Sequence, residues 1–283
     1  MLAASIAALV LATTTSGLDT ARIEKLTGAQ GASGADGVFR VSVPRSELDV
    51  YAGQIRVTPP MGMTAWAAFK KADKGDVVTG ELVLLEEQLA AAESAAVEGG
   101  LEVSGVDHHF VGESPRLIFV HFSGQGEEAA LATAVGKAFD AVRAKVESSG
   151  PQLAQLETTH KPLDFKKLEA TLGSGKVVDG VFRIERARPV KLRGQTVGAE
   201  MGAASWAALA GSDDAAAVSG AFAVQEAELG AVLKSARAQG LTVTSIEAPF
   251  AGEQPHLRLV HFWATGTSDK LAAAVKSGLA QLK

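Results

Sequence analysis

The 283-residue chain contains no cysteine, which excludes disulfide bonds, thiolate nucleophiles and zinc–thiolate sites. It also has no run of basic residues, and its formal net charge is −5. The attraction to a phosphate backbone on which nucleic-acid binding depends is therefore missing, and we expect no nucleic-acid partner. With 47% apolar and 21% charged residues, the composition is that of a folded protein in which each half can bury a core.

Long apolar runs are also lacking. Residues 1–12 are apolar, but a bilayer span needs about 20 such residues, so we expect no membrane span here or later in the chain. A run of this length is typical of a secretory signal peptide, although no lysine or arginine precedes it. We therefore interpret 1–17 as a signal-like segment and expect a periplasmic or secreted protein. The other interpretation is a buried or frayed N-terminal helix.

The most informative feature present is an internal repeat. Segments of the first half recur in the second half in the same order and at a constant offset, which changes only upstream of a loop that differs in length. So many ordered matches indicate two tandem copies of one domain. The matches include Met61-Gly62 with Met201-Gly202, Trp66-Ala67-Ala68 with Trp206-Ala207-Ala208, Gly100-Leu101 with Gly240-Leu241, Val120-His121-Phe122 with Val260-His261-Phe262, and Asp36 to Arg40 with Asp179 to Arg183.

The two copies are separated by a polar stretch that is bracketed by Gly-Pro and Lys-Pro. Such punctuation is typical of a linker. We predict a first repeat domain at 18–148, a linker at 149–162 and a second repeat domain at 163–283.

Both copies show the same order of predicted elements. A short helix comes first, capped in the first copy by Asp19, and strands follow, one of them over 77–85. A helix, a hairpin of strands 101–110 and 116–122, and a last helix complete the copy. The glycine-rich stretch 28–37 lacks phosphate-loop spacing and is predicted to be a loop. The pattern predicts an α+β fold of two repeated domains, each a mostly antiparallel sheet covered on one face by two helices.

Four segments of the first copy carry a resemblance to a known family. They are VSVPRSELDV (41–50), TAWAAF (64–69), GELVL (80–84) and VDHHFVGESPRLIFVHF (106–122). They resemble the LppY/LpqO family of bacterial envelope proteins, a domain of unknown function, and the second copy is a degenerate version of the same pattern. The resemblance implies an envelope location and no activity. Family members are often lipoproteins, but this chain has no cysteine for lipid attachment.

A polar cluster in the predicted hairpin is the first candidate site. Asp107 and His109 point to the same side of their strand because alternate residues share a face. His121 lies on the partner strand, diagonal to Asp107, and a bulge near Gly105 would bring all three side chains together. A carboxylate and imidazoles are suitable ligands for a divalent metal such as zinc. We predict Asp107, His109 and His121 as metal ligands, with His108 and Glu113 as second choices.

The second copy serves as an internal comparison for this cluster. His121 has the counterpart His261, whereas Ala248 and Pro249 replace the two adjacent histidines of the first copy. We therefore expect His121 and His261 to be buried at equivalent positions and to share a structural role. Any site is expected in the first copy, at the turn end of its hairpin.

Two further duplicated residues could bind a ligand. Arg40 could hold an anion, but it recurs as Arg183 and would equally pair with a carboxylate. Trp66 and Trp206 occupy equivalent positions, which favours a place in the core over a ligand platform.

Two functional classes fit these features. The first is an exported cell-envelope protein that binds an unknown small-molecule or envelope ligand, or serves a structural role, without catalysis. The second is a metal-binding protein or metal-dependent hydrolase with its site in the first repeat. A bound zinc ion would lower the pKa of a water to about 7. The sequence leaves open whether the protein is an enzyme, because no catalytic motif is present.

Overall fold

The computed structural model describes residues 17–145 and 162–283. The predicted signal-like segment, apart from its last residue, lies outside the described residues. The same holds for most of the predicted linker at 149–162. Within the described ranges no helix is both long and apolar enough to cross a membrane.

The first copy is built on a six-stranded antiparallel sheet. Its elements are α1 (Thr20–Thr27), β1 (Gly31–Ser33), β2 (Val38–Pro44), β3 (Val50–Ala52), β4 (Ile55–Val57), β5 (Thr64–Lys70), β6 (Asp76–Leu85), α2 (Leu89–Glu98), β7 (Glu102–Asp107), β8 (Glu113–Ser114), β9 (Leu117–Gly126) and α3 (Glu128–Arg143). The strand order across the sheet is β1-β2-β5-β6-β9-β7, and β4, β3 and β8 form a small second sheet.

The second copy repeats this plan. Its elements are α4 (Phe165–Leu172), β10 (Lys176–Val178), β11 (Val181–Ala187), β12 (Val190–Leu192), β13 (Gln195–Val197), β14 (Ala204–Gly211), β15 (Ala216–Gln225), α5 (Glu226–Ala238), β16 (Thr242–Glu247), β17 (Leu257–Gly266) and α6 (Ser268–Leu279). The sheet order β10-β11-β14-β15-β17-β16 matches that of the first copy strand for strand. The predicted α+β fold with two repeated, mostly antiparallel domains is confirmed.

Local sequence signals set the first helix of each copy. The Asp19 carboxylate accepts a hydrogen bond from the Arg22 backbone N–H, which satisfies one free donor at the start of α1. Gly28 ends the helix in the left-handed conformation at φ 62°. Asp164 caps α4 in the same way by accepting from the Lys167 N–H. The helix pairs α2–α3 and α5–α6 lie on one face of their sheets, while α1 and α4 pack on α3 and α6.

The prediction of a loop over 28–37 is wrong in part, because Gly31–Ser33 forms the edge strand β1 paired with β2. Gly31 lies flat against the ring of Phe39, where a Cβ would come within 2.4 Å of the ring. Turn-forming residues concealed this strand, because a short edge strand needs backbone pairing and little burial of its own side chains.

The two sheets pack against each other through the faces that the helices leave free. All ten residues of β6 are buried, as are nine of the ten residues of β15. In β6, Val78 and Leu82 belong to the apolar core under the helices, whereas Val77 belongs to a core shared with Ala221 and Ala223 of β15. Burial on both faces explains why these central strands read as nearly continuous apolar runs.

Contacts between the copies come in reciprocal pairs. The Thr79 hydroxyl donates to the Met201 carbonyl at 2.9 Å, and its counterpart Ser219 donates to the Met61 carbonyl at 2.6 Å. The Trp66 ring packs on Gly202, where a Cβ would lie 2.9 Å from the ring. Trp206 packs on Gly62 at a corresponding 3.0 Å. The duplicated Met-Gly and Trp motifs are therefore the residues with which each copy holds the other.

Candidate metal centre between the two copies

A cluster of buried acids and histidines lies where the two sheets meet. Glu81 of β6, Asp107 at the end of β7 and His121 of β9 come from the first copy. Glu247 at the end of β16 and His261 of β17 come from the second. All five are at most 9% exposed, although acids are rarely buried without partners. The cluster thus draws on strands from both copies.

The hairpin register of the first copy is the one that its sequence predicts. Asp107 pairs with Phe119, and the register slips between Val103 and Gly105, so that Gly105 pairs with His121. The same slip occurs in the second copy, between Val243 and Ser245. This bulge shifts the strand by one residue, and acids and histidines then point to the same side.

His121 is at the centre of the cluster. Its Nε2 atom lies 2.9 Å from Glu247 Oε1, 3.4 Å from Glu81 Oε2 and 3.9 Å from Asp107 Oδ1. None of these contacts has hydrogen-bond geometry, so Nε2 has no hydrogen-bond partner among the described residues. Three carboxylates therefore converge on one imidazole nitrogen, as ion pairs when His121 is protonated.

His109 is held in the cluster by stacking. Its ring lies between Phe119 and His261, with ring centroids 3.6 Å and 3.8 Å away. Its Nε2 atom is 3.5 Å from Asp107 Oδ2, and neither ring nitrogen has a hydrogen-bond partner within the described ranges. This imidazole is 2% exposed, and in its neutral form either nitrogen could be the one that serves as a ligand.

Four of these side chains could hold one metal ion. Asp107, His109, His121 and His261 each offer a ligand atom, and the four atoms all lie within 4.8 Å of one another. Ligand atoms around a tetrahedral zinc ion are about 3.3 Å apart, since zinc–nitrogen distances are about 2.0–2.1 Å. Binding of one ion by all four would require the stacked rings of His109 and His261 to rotate apart, because the lone pair of an imidazole nitrogen lies in the plane of its ring.

The carboxylates around His121 alter its protonation. Burial by itself lowers the pKa of this histidine, because a charge is poorly solvated in the interior. The negative charges of Glu247, Glu81 and Asp107 outweigh burial and raise the pKa of His121 to about 10. The cluster therefore attracts a cation, and a proton is the cation that it holds when no other is bound.

The pKa values of the other groups in the cluster are also shifted by burial and by their charged neighbours. Burial raises the pKa of Asp107, but the neighbouring His109 and the other imidazoles hold it well below its usual range. Burial by itself raises the pKa of Glu247, but the neighbouring His121 and His261 outweigh it and lower this pKa below its usual value. His109 has a lowered pKa because of its burial and of the neighbouring His261. Two ionised carboxylates and a neutral His109 are the forms in which these side chains bind a metal.

A cavity of about 640 Å³ lies beside the cluster, between the two copies. Glu81 and His121 form part of its lining, together with Trp66 and Trp206. Pockets for small ligands have volumes of about 300–1,000 Å³ and are lined mainly by apolar and aromatic groups. The cluster is therefore next to a space that could admit a small molecule.

The structure brings Asp107, His109 and His121 together, as the hairpin pattern predicts, but it does not place the second choices with them. The Nδ1 atom of His108 hydrogen-bonds to the Leu117 carbonyl at 2.8 Å, and this ring lies outside the cluster. The Glu113 carboxylate accepts from the Leu117 N–H at 3.3 Å. Both side chains bond within the hairpin and are not among the four residues whose ligand atoms converge.

The cluster is not confined to the first copy, where the sequence predicts the site. His121 and His261 are buried at equivalent positions, as expected, but their imidazoles are part of the same cluster, with ring centroids 6.0 Å apart. Glu247, the counterpart of Asp107, lies 2.9 Å from His121. The signal available in the sequence was an acid that precedes a histidine at the same spacing in both copies, Asp107 before His121 and Glu247 before His261.

Comparison with known proteins identifies the family. Residues 21–141 and again 166–281 match DUF1529, which is described as Domain of Unknown Function (DUF1259). The chain belongs to this family. The two DUF1259 matches cover most of the chain and coincide with the two copies of the fold. The tandem organisation is therefore that of two DUF1259 matches in one chain.

The resemblance to the LppY/LpqO family is corrected by this match. It rested on four short segments of the first copy, whereas the DUF1259 match spans both copies. The envelope location loses the support of that resemblance and rests on residues 1–12 alone.

Other comparisons add little about the DUF1259 protein. No protein with a curated description matches the chain. Two solved structures are similar over 90% of this chain and 91% of theirs, at 13% identity. They are a trimeric bacterial microcompartment shell protein, PduB, with a TM-score of 0.23, and EtuB from Clostridium kluyveri, with a TM-score of 0.21. At these TM-scores the likenesses carry no argument about fold or function.

Proposed function

We propose that this protein binds a divalent metal ion, with zinc as the best-fitting ion, between its two DUF1259 domains. The ligands in this proposal are Asp107, His109, His121 and His261. The observation that carries it is the set of buried polar atoms in the cluster that have no hydrogen-bond partner among the described residues. They are Asp107 Oδ1, His109 Nδ1, His109 Nε2, His121 Nε2, Glu247 Oε2 and His261 Nδ1.

The energetic cost of these atoms supports a bound cation. An unsatisfied buried polar atom costs about 1–3 kcal/mol, and ion pairing with Glu247 at 2.9 Å offsets that cost for His121 Nε2 when the ring is protonated. The whole free energy of unfolding of a domain is only about 5–15 kcal/mol. A single cation that accepts electron pairs from several of these atoms would remove most of this cost.

The donor set favours zinc over other ions. Three imidazoles and one carboxylate suit zinc, copper and iron, whereas magnesium and calcium prefer oxygen ligands throughout. Four ligands that converge from different strands suit the tetrahedral geometry that zinc adopts. Copper(II) would compete, because it binds nitrogen ligands more tightly than zinc does.

Neighbouring side chains would orient these ligands. Glu247 Oε1 lies 2.9 Å from His121 Nε2 and accepts a hydrogen bond from His261 Nε2 at 3.2 Å. The Ser245 hydroxyl donates to Asp107 Oδ2 at 2.6 Å. Carboxylates and hydroxyls that hold metal ligands in this way fix ring orientation and raise ligand basicity. Glu247 and Ser245 both come from the second copy, so each copy would contribute ligands or their support.

A metal-dependent hydrolase is a second candidate, favoured by the position of Glu81. Its carboxylate lies 3.4 Å from His121 Nε2 and lines the cavity, and the second copy has Ala221 in its place. For this activity the zinc ion would be held by three of the four ligands, so that a water in the fourth position would have a pKa of about 7. Glu81 is the group that could accept a proton at this position. Hydrolysis of an activated ester by zinc-loaded protein, and its loss in Glu81→Gln, would favour this candidate over plain metal binding.

Export remains part of the proposal. The apolar run at 1–12 supports a periplasmic or secreted location, in which the protein would act as a binding protein of the cell envelope. Fractionation of the native host, with N-terminal sequencing of the mature protein, tests this. An intact N-terminus in the cytoplasmic fraction would contradict it.

The metal proposal is tested by zinc titration of three proteins. Wild-type protein is compared with the double variant Asp107→Ala with His109→Ala, and with His108→Ala as the matched control. His108 is the adjacent histidine and lies outside the cluster. We expect the wild type and His108→Ala to bind one zinc ion alike, and the double variant to bind none under the same conditions. If wild-type protein binds no divalent metal better than the double variant does, the metal proposal is wrong.

A further inference from the structure

The cavity between the copies carries two equivalent arginines on tryptophan rings. Arg40 lies with its guanidinium carbon 3.8 Å from the centroid of the Trp66 ring, and Arg183 lies 4.9 Å from that of Trp206. All four side chains line the cavity. Each copy thus contributes one stacked guanidinium to the same space.

Backbone contacts across the interface hold both guanidinium groups in place. Arg40 Nη1 donates to the Glu200 carbonyl at 3.0 Å, and Arg183 Nη1 donates to the Pro60 carbonyl. A guanidinium has five N–H donors, and one carbonyl engages only one of them. The arginines are therefore fixed in orientation and retain donors for a further partner.

Neither arginine forms an ion pair with a protein carboxylate. Within the described ranges, no carboxylate lies within 4.0 Å of Arg40 or Arg183. A second equivalent pair of arginines behaves differently, since Arg45 and Arg188 each pair with a glutamate, at 2.5 Å and 2.7 Å. Partly buried arginines are normally paired, so the unpaired couple in the cavity requires another explanation.

We propose that the cavity binds a small organic anion, a carboxylate or phosphate carried on an aromatic or aliphatic body. The two guanidinium groups would bind the anionic group, because planar arginine forks match carboxylate and phosphate oxygens. The tryptophan rings and neighbouring apolar side chains such as Phe250 and Leu259 would contact the body of the ligand.

Acidic residues also line the cavity, but among the described residues none of them forms an ion pair with Arg40 or Arg183. Asp179 and Glu185 are exposed, so water and salt screen them. The buried Glu81 carboxylate lies 3.4 Å from His121 Nε2 and is directed at that imidazole. Glu185 and Glu81 act on both arginines only from beyond ion-pair distance, so the guanidinium N–H donors stay open to a ligand.

The anion site does not depend on the metal centre, and the test separates the two. Isothermal titration calorimetry is carried out on chelator-treated and zinc-loaded protein with benzoate and phenyl phosphate, and with benzamide and phenol as neutral counterparts. We expect each anion to bind at least about tenfold more tightly than its neutral counterpart in both forms, since hydrogen bonds to charged groups contribute about 1.5–3 kcal/mol. Anion binding in a protein that binds no zinc would leave this proposal standing and refute the metal proposal alone.

Variants identify which arginines are responsible. Arg40→Gln and Arg183→Gln should each weaken anion binding by roughly tenfold or more. The control is Arg56→Gln, because Arg56 also lines the cavity but is exposed and pairs with Asp49 at 3.0 Å, so a change of at most about twofold is expected. Equal affinity for anions and neutral counterparts in wild type would overturn the proposal whether or not the variants fold. Two other results would also overturn the proposal. One is that neither anion binds at about millimolar concentration. The other is that anion binding requires zinc and is unchanged by replacement of either arginine.

Discussion

Replacement of His261 by alanine isolates the contribution of the second copy to the candidate metal centre. His261 is 1% exposed, stacks on His109 with ring centroids 3.8 Å apart, and donates to Glu247 at 3.2 Å. If it is a ligand, its loss should weaken zinc binding by at least about 100-fold, because even supporting residues of metal sites contribute about 10–100-fold. In chelator-treated protein the same change should lower the free energy of unfolding by only about 1–3 kcal/mol, the cost of an unsatisfied buried partner.

The assay is a competition titration with a chromophoric chelator, combined with urea unfolding of the metal-free proteins. His256→Ala serves as the control, because His256 belongs to the same copy and is 60% exposed at its side chain. Its zinc affinity should equal that of the wild type. A folded His261→Ala protein with wild-type zinc affinity would refute the idea that both copies supply ligands, and would return the site to the first copy.

Three further predictions concern stability. The carboxylates around His121 raise its pKa from the ordinary 6.5 to about 10, so its contribution to the stability of chelator-treated protein is present below about pH 6.5 and is lost as the pH rises through about 10. Unfolding free energies measured across that range should fall in metal-free protein and stay nearly level in zinc-loaded protein, because zinc replaces the proton. Gly202→Val should cost about 2–5 kcal/mol in thermal melts, because Gly202 has φ 90° and a Cβ there meets Trp66 at 2.9 Å. Thr79→Val removes the donor for a buried carbonyl of the other copy and should cost about 1–3 kcal/mol, whereas the exposed Thr133→Val should be nearly neutral.

The fold of each copy was predictable from its local signals. The capping aspartates, the helical spacing and the constant offset between matching segments predict one α+β unit used twice, and the structure has that plan. These signals do not predict how the copies dock. Periodicity within a strand indicates which residues are buried, but it does not indicate which neighbouring element buries them. The docking explains why β6 is buried on both faces, because Val77 and Thr79 face the other copy.

The candidate site was predictable only in its first half. Alternation along β7 and its bulge bring Asp107, His109 and His121 to one side, and this follows from the hairpin alone. Glu247 and His261 are distant in the chain and join the cluster only when the sheets pack face to face. A residue kept in both copies favours a structural role, and for that reason the sequence did not indicate His261 as a ligand. Residues that meet near the centre of a repeat interface can be duplicated for function as well.

The most direct test of the central claim is anomalous X-ray diffraction at the zinc absorption edge from crystals of zinc-loaded protein. Binding between the two copies predicts one strong anomalous peak, about 2.0–2.2 Å from one atom each of Asp107, His109, His121 and His261. A peak bound only to first-copy residues, a peak elsewhere on the protein, or no peak in zinc-soaked crystals would contradict it.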